Sequence, residues 1–148
     1  MLLTYSLLGG SALFICLQDI RWQTIPLSGL LVFMGASFLN QFWMPEFEGL
    51  WTAGTMALIL MSCQGLFYLF RQKLAMGWGD LILAPSCGLW LHIQEFPTFC
   101  IATGLFGLLL GSFWRYRWGM TTFPFAPAIL LGLGVIFLIR CFLMMNEI

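Results

Sequence analysis

Apolar residues dominate six stretches of the chain, at positions 2–17, 25–44, 50–70, 81–91, 98–114 and 123–143, with short polar patches between them. Most approach the ~20 residues that a helix needs to cross the ~30 Å hydrocarbon core of a bilayer. None shows the short alternating segments of a membrane β-barrel. The pattern predicts an all-α polytopic membrane protein, a bundle of six transmembrane helices forming a single membrane-embedded domain over residues 1–148 with no soluble domain. The fourth stretch is unusual. Between Asp80 and Glu95 lie 14 uncharged residues. That is roughly 21 Å of helix, less than the hydrocarbon core. Either the bilayer thins there, or this helix starts below the membrane surface and draws Asp80 into a less polar zone.

Composition agrees with the pattern. The chain is 61% hydrophobic and 8% charged, whereas a soluble domain carries about a quarter charged residues. A formal net charge of zero without a basic patch argues against nucleic acid as a partner. Cys16, Cys63, Cys87, Cys100 and Cys141 are scattered through apolar segments without a Cys-x-x-Cys pair, and the single histidine, His92, has no second histidine beside it. No metal site and no cofactor are therefore expected, and the cysteines read as small apolar residues. The first residues lack a basic n-region and a small-residue cleavage site, so they read as a first span rather than a removable signal.

Charge sets the expected orientation. The first connection holds Arg21, the third Arg71 and Lys73, and the fifth Arg115 and Arg117, while the second holds Glu46 and Glu48 and the fourth Glu95. Five of the six basic residues thus fall on one face. The positive-inside rule makes that face cytoplasmic and puts both termini on the non-cytoplasmic side. Arg140, near the outer end of the last stretch, is expected to snorkel outward. Trp22, Trp78, Trp114 and Trp118 fall at the cytoplasmic boundary and Trp43, Trp51 and Trp90 near the outer one, as interfacial belts require.

Against this background Ala75-Met76-Gly77-Trp78-Gly79-Asp80 stands out, an acid with two glycines beside it between apolar runs. An ionisable group at the edge of a membrane segment is expensive and marks a functional site by default. Topology gives Asp80 a partner. Asp19 ends the first stretch on the same face, and Glu147 is the only other acid outside the outer connections. Two carboxylates at one depth are the minimum for aspartic protease chemistry, in which the pair shares one proton, one member serving as base towards water and the other as acid towards the carbonyl oxygen. Structural alternatives exist for each. Asp80 suits the N-cap of the fourth helix, and Asp19 suits a solvated boundary position beside Arg21. Gly77 and Gly79 favour the functional reading, because they allow backbone conformations and close approach that a plain cap does not need.

At this point the chain resembles the type IV prepilin peptidases, membrane aspartic proteases of the Gly-x-Gly-Asp type. Asp19-Ile20-Arg21-Trp22-Gln23-Thr24-Ile25-Pro26 is similar to the first family motif, Met76-Gly77-Trp78-Gly79-Asp80 to the second, and Phe123-Pro124-Phe125-Ala126-Pro127 to the Pro-Phe-Gly-Pro stretch that opens the last span. The three occur in order, at the right boundaries and on one predicted face. The resemblance implies catalytic roles for Asp19 and Asp80, with Gly77, Gly79, Pro26, Pro124 and Pro127 supporting the motifs. It further implies removal of the short basic leader from prepilins or pseudopilins, cut after a glycine at the cytoplasmic face of the bacterial inner membrane. Pro124 near N1 and Pro127 bending the first turn would shape the last helix. The methylation activity that accompanies an N-terminal Cys-x-x-Cys domain in many members is not expected.

The chain departs from the family pattern at Ile82, where lysine is usual, at Leu27, where an acid or amide is common, and at Ala126, where glycine is usual. Losing the lysine removes a positive charge near the second acid. Two other readings of the paired acids are a proton-relay or transport bundle and a catalytically degenerate subunit of a pilus or secretion system. Arg71, Lys73, Arg115 and Arg117 read first as orientation signals at the interface. Gly104, Gly107 and Gly111, with Gly132 and Gly134, read as helix-packing surfaces.

Overall fold

The computed structural model describes residues 2–42, 47–72, 76–119 and 122–146, and every regular element among them is helical. The order is α1 (Leu2–Trp22), α2 (Leu27–Gln41), α3 (Glu48–Arg71), α4 (Trp78–Gly88), a short 3₁₀ turn (Ile93–Glu95), α5 (Phe96–Trp118) and α6 (Ala126–Asn146). Four segments, Leu3–Trp22, Glu48–Arg71, Ile93–Trp118 and Ala126–Met145, are long and apolar enough to cross a membrane. α2 is apolar but has 15 residues, and α4 has 11. At the usual rise α4 is roughly 16 Å long, shorter even than the sequence pattern suggests. Pro85 stands inside it, removing a donor and crowding the preceding turn.

The helices pack as three consecutive hairpins, α1 with α2, α3 with α4 and α5 with α6. α4 lies in the middle, touching α2, α3 and α6, while α1 closes against α6. α1 buries a stripe made of Thr4, Leu8, Ser11, Ile15 and Asp19, whose steps of three and four follow the helical period. The charged member ends the stripe, at the helix's last turn. α4 is buried almost all round, through Leu81, Leu83, Ala84, Ser86, Cys87 and Gly88. Phe33, Trp90, Phe99, Ile129 and Ile136 join it in one core. α3 buries only Gly49, Thr52 and Met56, and α5 only Phe99, Thr103 and Gly107. Towards the Asp19 end their surfaces are therefore uncovered, with Leu69, Phe70, Phe113 and Tyr116 exposed. Exposed apolar helix faces of this length suit lipid.

At the Asp19 end, α1 stops at Gln23, whose backbone turns left-handed at φ 51° and whose N–H donates to the Asp19 carbonyl at 2.8 Å. That is the αL way of ending a helix. Pro26, itself extended at φ −70° and ψ 129°, then takes the N-cap position, and α2 starts one residue later. Gln72 ends α3 in the same way, its N–H reaching the Tyr68 carbonyl at 2.8 Å.

The opposite end carries charges that pair within the protein. Arg140 does not snorkel outward. Its guanidinium forks onto the Glu95 carboxylate and donates to the Trp90 carbonyl at 3.0 Å. His92 pairs with Glu48 through Nδ1, and its N–H donates to Glu95 at 2.8 Å. Trp90 is also not an interfacial ring. It is fully buried, donates from Nε1 to the Ser37 hydroxyl at 2.8 Å and packs against Tyr5 and Phe137. A buried indole needs a partner for its N–H, and Ser37 on α2 supplies one. Trp22, Trp51, Trp78 and Trp118 are exposed, whereas Trp43, Glu46, Lys73 and Glu147 lie outside the described residues.

Candidate active site

Asp19 and Asp80 lie at the same end of the bundle, on two helices that never follow one another in the chain. Asp19 is 5% exposed, so it is not a solvated boundary residue. Its Oδ2 accepts a hydrogen bond from the Ala126 N–H at 3.0 Å. Asp80 is half-buried. It sits in the first turn of α4, three residues after the N-cap Gly77, so it does not cap the helix in the ordinary sense. Instead, the Gly77 backbone turns back onto its carboxylate. The two acids are near enough for the charge on Asp19 to act on Asp80.

The two glycines serve different ends. Gly77 has φ −67° and ψ 149°, extended backbone open to any residue. A Cβ there would meet only Asp80 Oδ2, at 3.4 Å. Gly79 is the close approach. A Cβ at that position would come to 2.9 Å from both Cβ and Cδ1 of Ile25, inside van der Waals contact. The missing side chain lets the start of α4 lie directly on the α1–α2 connection. Gly-x-Gly-Asp and Ile-Pro, the marks of two separate motifs, are thus in contact.

The third motif completes the cluster. Pro124 lies outside α6, two residues before its first residue, so it is not at N1. Pro127 falls in the first turn, where a missing N–H is tolerated. Ala128 and Ile129 turn their amides back to the Phe125 carbonyl at 3.0 and 3.3 Å. Ala126 N–H is the donor left over in this turn, and Asp19 takes it. Phe125 and Phe123 rest on α5 where Gly107 and Gly111 leave room, Cβ atoms there coming within 2.9 and 3.2 Å of the rings. Of the glycines expected to pack helices, Gly107 and Gly111 are seats for these two rings, Gly132 packs α6 directly against Thr103 of α5, and Gly104 and Gly134 meet open space. A hollow of about 660 Å³ opens beside the two rings, with Arg115 at its rim.

Several contacts had no signal in the motifs. Gln64, in the middle of α3, donates from Nε2 to the Met76 carbonyl and accepts from the Met76 N–H, both at 3.1 Å. The only hint was a lone carboxamide in an apolar run. Thr122 donates to the Gln23 side chain at 3.1 Å, tying the α5–α6 and α1–α2 connections together. Ile82 is 40% exposed and lines a hollow of about 350 Å³ with Met34, Phe38, Leu50 and Ala53. Leu27 is exposed. Among the described residues no three His, Cys, Asp or Glu side chains gather as a metal site would require.

A family model described as the type IV leader peptidase family matches residues 6–112, which include both acids. The chain belongs to the type IV leader peptidase family. The matched region spans α1 to most of α5, so the contact between Gly79 and Ile25 lies wholly within it. The stretch around Ala126 follows beyond the matched region. No curated protein and no solved structure matches the chain. Family membership indicates a peptidase, and the long apolar helices indicate a membrane protein.

Proposed function

We propose that this peptidase is a membrane aspartic endopeptidase that removes the short basic leader from type IV prepilins or pseudopilins. Asp19 and Asp80 are its catalytic pair. The observation that carries the reading is the meeting of two acids, buried and half-buried, at one end of apolar helices and within electrostatic reach of each other. Two carboxylates so placed do not both ionise readily; one holds a proton while the other is charged. The charged member takes a proton from water as the water attacks the scissile carbonyl carbon. The protonated member hydrogen-bonds to the carbonyl oxygen as negative charge develops there. The proton taken from water then passes to the amide nitrogen as the C–N bond breaks, the carbonyl re-forms and the amine leaves. Titration belongs to the pair rather than to either residue.

In this proposal all six helices form the membrane bundle, with both termini outside and the acids at the cytoplasmic face of the bacterial inner membrane. Arg21, Arg71, Arg115 and Arg117 lie in the last turns of α1, α3 and α5 on the Asp19 side, which supports that orientation. A scissile bond at the mouth of a substrate's apolar helix would meet the pair at that depth. The test is co-expression with candidate prepilins, scoring leader loss for wild type, Asp19→Ala and Asp80→Ala. Each single substitution should abolish cleavage while the protein still inserts. Wild-type-like processing in both would refute the assignment.

A further inference from the structure

α3 and α4 are joined at a place that the hydrophobic pattern does not explain. Along α3, residues 53, 56, 57, 60 and 64 turn partly or fully inward, and Gln64 is the only inward-turned residue among positions 61–70. The seam with α4 therefore ends at Gln64, seven residues before the last residue of α3, or roughly 10 Å along its axis. Met76 is bound there by both of its backbone polar groups. Those groups lie outside the α4 ladder, whose first bond joins the Leu81 N–H to the Gly77 carbonyl at 3.2 Å. In an apolar surrounding an unmade bond at either group is costly. A carboxamide is the side chain that offers a donor and an acceptor side by side.

From this geometry we infer that Gln64 is the positioning residue that sets the depth and aim of Asp80, an inference that rests on the endopeptidase reading above. It pulls the Met76–Gly77 turn about two helical turns up the side of α3. α4 then begins at that level, and Asp80 in its first turn is held within reach of the charge on Asp19. The shortness of α4 follows from the same docking. Gln64 touches neither acid, so its effect reaches the reaction through the turn alone.

The full chain in detergent, with a peptide carrying a basic stretch, a glycine and the start of an apolar helix, tests the inference. Gln64→Leu keeps a good helix former but removes both bonds. It should lower kcat by ~100-fold, as expected for an ångström-scale misplacement, with KM changed by no more than about twofold. It should also speed hydrogen exchange at the Met76 amide, read by mass spectrometry of the peptide that contains it. Gln64→Glu supplies a donor and an acceptor only when protonated. Its activity should therefore approach wild type in acid and fall as the pH rises, displacing the profile from that of wild type. A wild-type kcat in Gln64→Leu together with an unshifted profile in Gln64→Glu, while Asp19→Asn is inactive, overturns the inference and leaves the endopeptidase reading standing. If Asp19→Asn cleaves normally, the endopeptidase reading has failed, and an unchanged exchange rate at the Met76 amide in Gln64→Leu overturns the docking as well. Should Gln64→Leu not insert, the Gln64→Glu profile decides, an unshifted one counting against the inference.

Discussion

Asp19 Oδ2 and the Ala126 N–H, 107 positions apart, form a buried hydrogen bond of 3.0 Å. It joins the last turn of α1 to the first turn of α6 and gives one carboxylate two duties. As an acceptor it satisfies the amide that Pro127 and the back-turned amides of Ala128 and Ile129 leave unpaired. In the proposed mechanism it is also the acid that acts with Asp80, which lies within reach of its charge. The proline-rich opening of α6 is therefore part of the site's frame, because it presents a free backbone donor where the carboxylate sits.

The two duties separate by substitution. Asn accepts at a helix N-terminus as well as Asp does. Asp19→Asn should therefore insert and melt like wild type while cleavage falls to background. Asp19→Ala should lose cleavage and also about 1–3 kcal/mol of stability, the penalty for an unsatisfied buried amide. Thermal unfolding in detergent beside a cleavage assay checks both. Equal melting of the two variants would show that the bond to Ala126 contributes nothing to the fold.

The motif glycines should differ sharply. Gly79→Ala puts a methyl group 2.9 Å from Ile25 and must push α4 off the α1–α2 connection, with a loss of cleavage of ~10- to 100-fold. Ile25→Ala in the same chain removes the Cγ1 and Cδ1 contacts and should restore part of it. Gly77→Ala meets Asp80 Oδ2 at 3.4 Å on backbone that any residue adopts, so its effect should be small. Cleavage kinetics for the four variants decide, and equal damage from the two alanines would contradict this division.

Much of this was readable in the chain because apolar runs and turn residues announce themselves locally. The apolar runs, Pro26, the Gly-x-Gly-Asp turn and the two acids all carry short-range signals, and the helices were misjudged mainly at their ends. Asp19 lies inside α1 and Asp80 inside α4, one turn further into regular structure than the hydropathy breaks suggest. The polar contacts made by partners far apart in sequence were not readable. Trp90 looks interfacial until Ser37, 53 residues away, takes its N–H. Arg140 looks like a stray cation until Glu95 and the Trp90 carbonyl meet it. Gln64 looks like tolerated polarity in a span, since nothing in α3 itself shows that Met76 will come to rest beside it.

The seats of the phenylalanines give a test on α5. A Cβ at Gly107 would stand 2.9 Å from the Phe125 ring, whereas Gly104 has open space. Gly107→Ala should displace Phe125 and with it the Ala126 donor, reducing cleavage several-fold and lowering the melting temperature. Gly104→Ala should be tolerated, with the modest gain in helix propensity that alanine brings. If both alanines are silent, the ring does not hold α6 in register with Asp19.

Ile82 follows Asp80 by two residues, which is roughly 200° around a helix, and it lines the apolar hollow against α2 and α3. A lysine there can lay its stem along that hollow and carry its charge out to the surface. Ile82→Lys is accordingly expected to leave kcat within a few-fold of wild type. A cleavage assay with the matched pair checks it. An inactive wild type that gains activity with lysine would instead mark Ile82 as a disabling change.

The far end of the bundle should govern stability without touching catalysis. Arg140 and Glu95 have side chains only 20% and 23% exposed, and Arg140 also binds the Trp90 carbonyl. Removing one partner leaves the other charge poorly solvated, which is worse than removing both. Arg140→Met and Glu95→Gln should each lower the melting temperature, and the double variant should recover part of the loss. Cleavage per folded molecule should stay at the wild-type level in all three, because α4 and α6 reach the acids from the opposite end. A double variant as unstable as the sum of the singles would mean that the two side chains act independently, and that the α4–α6 junction depends on the Trp90 carbonyl contact and the core ring packing rather than on the ion pair.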